Sequence, residues 1–161
     1  MTPRVFLSIV IATLSLAAPP AASAAAAPTR PEYVERLERI CKPGAEATRQ
    51  AVRGVRADVK AERLGIAASK FARAHRIFAH TVKEISVVQR PAEDARTLAR
   101  WYARLGREEL YLEGIAETLR ASNIPGFQRV SAQFCREGNR ANNVIGSFGF
   151  NYCSFQPSRF V

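Results

Sequence analysis

The chain has 161 residues, enough for one domain with a single core, and it sets 24 lysines and arginines against 14 aspartates and glutamates for a formal charge of +10. Nearly all of the positive charge is arginine, since Lys42, Lys60, Lys70 and Lys83 are the only lysines. The arginines are spread along every predicted helix, with no block of five or six and no interleaved aromatics, so the pattern excludes a specific nucleic-acid platform and reads as a solvated basic surface.

Residues 1–24 read as a secretory signal peptide. Arg4 gives a basic start, Val5 to Ala18 is an apolar run short for a bilayer span, and Ala22 and Ala24 are the small residues that precede a cut after Ala24. A cut after Ala26 fits nearly as well; one after Ala27 would set Pro28 beside the scissile bond. Loss of Arg4 takes the charge from +10 to +9. No cysteine stands near the cut, so a lipid anchor is not indicated. Residues 25–30 are a short flexible leader and 31–161 a single helical domain. No later segment has the apolar length of a membrane span, and the expected location is secreted or extracytoplasmic, in the cell envelope.

Pro31 to Lys42 starts the first helix, with Tyr33, Val34, Leu37, Ile40 and Cys41 apolar. Pro43 and Gly44 are expected to kink or interrupt it, because proline removes a backbone donor and crowds the preceding turn. Ala45 to Lys60 is a weaker helical stretch with Ala47, Ala51, Val55 and Val59 inward. Leu64 to Val88 repeats apolar residues at three-four spacing, and Gln89, Arg90 and Pro91 form a tight link to the clearest helix of the chain, Pro91 to Ser122. In that helix Leu98, Trp101, Leu105, Glu108, Leu112, Ile115 and Leu119 occupy one face, and six of the seven are apolar. Asn123, Ile124, Pro125 and Gly126 punctuate, and Phe127 to Gly146 is the last helix. Phe127, Val130, Phe134, Ala141 and Ile145 are its inward residues. The fold class is all-α: an antiparallel bundle of about four helices built from two helical hairpins. Phe148, Phe150, Tyr152, Phe155 and Phe160 make a C-terminal tail too aromatic to stand in water, expected to fold back over the bundle.

An exported chain with three cysteines can form one bridge. If Pro43 ends the first helix, Cys41 lies close to Cys153; if the helix runs on unbroken, Cys41 rises to the level of Cys135 and that pairing competes. The first pairing, favoured here, leaves Cys135 as a buried free thiol.

Three stretches carry a resemblance. Glu32-Tyr33-Val34 with Ile40-Cys41-Lys42-Pro43, then Arg90-Pro91-Ala92-Glu93-Asp94, then Ala141-Asn142-Asn143 followed by Phe148-Gly149-Phe150-Asn151-Tyr152-Cys153, together resemble a group of exported helical proteins from high-GC actinobacteria with no known activity. The resemblance implies a structural cysteine pair at Cys41 and Cys153. It implies no activity, and Cys135 stands outside its pattern.

Motifs for chemistry are sparse. His75 and His80 lack a glutamate three residues before them and sit about 140° apart on a helix, so no metal site is expected, and no cofactor. No HExxH, CxxC, P-loop, GxGxxG or GxSxG pattern occurs. Glu108 is the one polar residue in the long seam, expected to meet an arginine or turn to water; as an alternative, it could act as an acid or base in a pocket between helices with Trp101 and Tyr111. Asn142 and Asn143 read as interhelical hydrogen-bonding or capping residues, and Asp58, Asp94 and Glu109 have no visible catalytic company. The leading expectation is an exported non-enzymatic interaction module whose basic surface meets an anionic envelope polymer or lipid. The alternative is a small-ligand binding protein or enzyme.

Overall fold

A computed structural model describes residues 27–159. The stretch read as a signal peptide, part of the expected leader, and Phe160 lie outside the described residues. Helices α1 (Arg30–Ala51), α2 (Val55–Lys60), α3 (Leu64–Ser86), α4 (Ala95–Arg120) and α5 (Ile124–Val144) are followed by two short 3-10 turns, Gly146–Phe148 and Pro157–Arg159. The fold is an all-α bundle in which α1, α3, α4 and α5 pack in antiparallel succession, with no strand among the described residues.

Helix α1 opens on a capping pair: the backbone N–H and hydroxyl of Thr29 both donate to the Glu32 carboxylate, at 2.8 and 2.9 Å. It then runs through Pro43 without a break, against the expectation from sequence. An interior proline costs on the order of 3 kcal/mol. That cost is offset by burial of Tyr33, Leu37, Cys41, Thr48 and Ala51 along one face of the same helix. Gly44 helps in a specific way, because a Cβ there would overlap the Thr81 side chain of α3. Gly44, which read as punctuation, therefore permits close helix packing. The chain turns instead at Gly54, whose φ of 74° is a left-handed conformation suited to glycine. Buried Asp58 secures the turn, with its carboxylate accepting from Arg63 at 2.7 Å and from Lys70 at 2.5 Å.

Two other boundaries differ from the sequence reading. Pro91 does not open α4; residues 91–94 form a turn, and the helix starts at Ala95. The turn lets buried Asp94 accept two hydrogen bonds from the Arg30 guanidinium, at 2.6 and 2.7 Å, tying the starts of α1 and α4 together. Helix α5 starts at Ile124, three residues before Phe127, because the Asn123 side chain caps it by accepting from Gly126 N–H at 2.9 Å while Pro125 fits the first turn.

All seven seam residues of α4, Glu108 included, are buried. Between α3 and α4, the Tyr102 hydroxyl donates to the Ile85 carbonyl at 2.6 Å and meets the Tyr33 hydroxyl of α1 at 2.9 Å, joining three helices.

The tail completes the bundle. Helices α1 and α5 have little direct packing, and residues 148–158 run between them, parallel to α1 and antiparallel to α5. Phe150 stacks on Trp101 at 5.6 Å, and Phe155 meets Phe78 of α3 and Phe134 of α5. The Glu38 carboxylate accepts from the backbone N–H groups of Asn151, Tyr152 and Cys153 at 3.0 to 3.2 Å. Cys41 and Cys153 form a disulfide across 112 residues. Although α1 is unbroken, Cys41 does not pair with Cys135, because the tail climbs alongside α1 and carries Cys153 to the level of Cys41. A bridge closing so long a loop stabilises by on the order of 4 kcal/mol on the chain-entropy account. The double substitution Cys41→Ser with Cys153→Ser is expected to lower thermal stability substantially while circular dichroism retains the helical signal; an unchanged melting temperature would contradict this reading.

Candidate functional site

Glu108 is the most unusual group in the molecule. It is 1% exposed, and neither carboxyl oxygen has a hydrogen-bond partner among the described residues. Three elements enclose it. It projects from α4 toward Gly138 of α5, where a Cβ would come within 3.2 Å of Oε2, and Pro157 of the tail sits on the same glycine so closely that the added Cβ would overlap its ring. Gly138 thus lets the tail close over the carboxyl.

Burial, and then the charge of neighbouring Glu137, push the Glu108 carboxyl up to about 8, so at neutral pH it is mostly a neutral acid. Glu137 behaves oppositely. Burial pushes it up as well, but hydrogen bonds from Arg107 and Arg104, each at 2.8 Å, outweigh that and hold it below the usual carboxylate range. Arg140 adds a longer contact at 3.5 Å. Two neighbouring glutamates are thereby held in different protonation states, one by burial and one by arginines.

A general acid needs a reacting group within hydrogen-bond reach. Trp101, Glu108 and Tyr111, the residues expected around a pocket, all lie on α4. Trp101 and Glu108 share the buried face of α4 but stand seven residues, roughly 10 Å, apart along it. Phe150 stacks on Trp101, whose indole N–H has no hydrogen-bond partner among the described residues. Tyr111 is half-buried and packs against the core.

The other candidates take ordinary roles. His75 lies 3.8 Å from Glu109 and His80 lies 3.2 Å from Glu84, and no group of three metal-binding side chains occurs among the described residues. Asn142 donates to the Phe155 carbonyl at 2.6 Å and so holds the tail, whereas Asn143 is exposed. Cys135 is a half-buried free thiol pushed up by burial, opposite to the shift that activates a cysteine. Asp58 and Asp94 are absorbed by their cationic partners.

Four hollows lie elsewhere among the described residues. An open hollow of about 570 Å³ lies over the α1–α2 turn, lined by Arg49, Arg53 and Arg56 with Val52 and Gly54. A second, of about 140 Å³, lies between α1 and the tail, lined by Ala45, Arg49, Asn151, Tyr152, Ser154 and Gln156. An apolar crevice of about 30 Å³ lies beside the disulfide, and a hollow of about 460 Å³ lies between α1 and α3. None of the four is lined by Trp101, Glu108 or Tyr111. Sequence reading passed over the arginine hollow; its signal was Arg49 and Arg53 four apart, immediately before Gly54, where a chain turn exposes both.

Comparison with family models, with curated proteins and with solved structures gave no match.

Glu108 generates a pH prediction with a definite sign. Its folded-state pKa is raised, so unfolding is progressively favoured as pH rises from about 4.5 to about 8, by up to about 1.4 kcal/mol per pH unit. Glu108→Gln removes that dependence. Denaturant titrations from pH 5 to 8.5 are expected to show the stability difference, variant minus wild type, growing with pH; a constant difference would show that Glu108 does not titrate there.

Proposed function

We propose that this chain is an extracytoplasmic, non-enzymatic helical module that attaches to anionic envelope polymer through its basic surface. The observation that carries the reading is the state of the arginines. Arg49, Arg53, Arg73, Arg96, Arg120 and Arg129 are exposed on or beside four different helices and make no ion pair with an acidic side chain among the described residues. Acidic partners are used elsewhere: Glu137, Asp58 and Asp94 are buried around other cations. The remaining guanidinium groups face solvent as an uncompensated positive field, which favours an extended anion over a compact ligand.

Export is supported by the signal-like first residues and by a disulfide whose persistence suits an oxidising compartment. No helix among the described residues is long and apolar enough to cross a membrane. The resemblance to exported actinobacterial helical proteins points the same way.

A second reading, a small-ligand site between helices, is favoured by one observation, the buried and unpartnered Glu108 carboxyl. Native mass spectrometry of protein exported by its own host separates the two. A bare oxidised mass supports the surface module, and an adduct lost on denaturation supports the pocket.

The attachment predicts a steep salt dependence. Purified protein is expected to pellet with isolated anionic envelope polymer at about 0.05 M salt and to be released by about 0.5 M, as screening shortens the reach of the surface charges. Pelleting that ignores salt, or equal pelleting with a neutral polysaccharide, would contradict the reading.

A further inference from the structure

Arg49 lines both the hollow over the α1–α2 turn and the hollow beside the tail, so the two adjoin at its side chain. No acidic side chain lines either one. The α1–α3 hollow differs, since it sets Glu84 beside Arg76 and His80.

The chemistry changes along the joined surface. At one end stand Arg49 and Arg53, with Arg56 as a wall whose guanidinium donates to the Ser158 carbonyl at 2.7 Å. Lys70 adds positive potential beside Gly54, although its ammonium is engaged by Asp58 and the Arg53 carbonyl. At the other end Asn151, Ser154 and Gln156 contribute amide and hydroxyl groups, and Tyr152 contributes a ring. Guanidinium forks match the paired oxygens of a phosphate, and amides and hydroxyls match the donors and acceptors of a polyol.

We propose that this joined surface binds a phosphodiester-linked polyol chain, with a phosphate held between Arg49 and Arg53 and the adjoining hydroxyls on the Asn151–Gln156 arm. The proposal rests on the envelope-polymer reading and names the chemistry and place of its contact. The tail arm is preformed: Cys153 is bonded to Cys41, and the amides of residues 151–153 are held by Glu38, so little ordering is required when a chain docks. Phosphate supplies attraction and the polyol supplies discrimination against polymers that carry carboxylates alone.

The test uses the mature oxidised protein, a glycerol-phosphate oligomer and a polyglutamate of equal charge, both at about 0.15 M salt. Two double variants remove the same charge from residues four apart: Arg49→Ala with Arg53→Ala, and Arg96→Ala with Arg100→Ala at the opposite end of the bundle. Melting temperatures check that both fold. The glycerol-phosphate oligomer is expected to bind more tightly than polyglutamate, to lose about tenfold in affinity in the first variant, and to change less than about twofold in the second. Equal losses in the two variants, or equal affinity for the two polymers, would remove this site while leaving general polyanion attachment intact. Failure of the protein to bind either polymer even at low salt would instead overturn the envelope reading itself.

Discussion

The tail depends on its attachment to α1, and the bundle depends on the tail. Four helices that pack only in succession leave one side open, between α1 and α5, and through that side the core would meet water. Residues 148–158 close it. The Glu38 carboxylate, accepting three consecutive backbone N–H groups, satisfies donors that an irregular segment against a core would otherwise leave stranded. The disulfide fixes the height at which this happens. With the tail set, Phe150 covers Trp101, Phe155 fills between α3 and α5, and Pro157 closes over Gly138.

Closure also explains the odd state of Glu108. A glutamate in an apolar seam would ordinarily find a cation or water, and arginines are abundant nearby, yet Arg104 and Arg107 turn to Glu137. The α4–α5 interface therefore holds one charged carboxylate in an arginine cage on its outer side and one neutral carboxyl in its buried interior. Removing Arg104 or Arg107 would leave the buried Glu137 charge less well compensated, whereas the protonated Glu108 is held without a cation.

Much of this was legible in the sequence, and the failures are instructive. The seam from Leu98 to Leu119 was readable because three-four spacing is a direct consequence of helix geometry. The tail was readable because so many aromatics close together need cover. Pro43 misled because its local cost is visible in sequence, while the contact of Gly44 with Thr81, which makes an unbroken helix worthwhile, lies across 37 positions of chain. Pro91 looked like a helix start, yet α4 begins only after Asp94, whose carboxylate serves Arg30, 64 residues away. Glu108 stood out as polar, but its expected partner arginine was drawn to Glu137, a competition that only three-dimensional packing decides. The hollow that adjoins the arginine hollow at Arg49 depends on the tail lying beside α1, which no local pattern announces.

The central claim is that the tail is a wall of the fold. Hydrogen exchange of the oxidised protein, followed at the amides of Asn151, Tyr152 and Cys153, tests it most directly, because these amides belong to no helix and owe any protection to Glu38. The account predicts protection that persists in the native protein and falls at all three amides together in Glu38→Ala. Exchange at the rate of an unstructured peptide in the native, oxidised protein would contradict it.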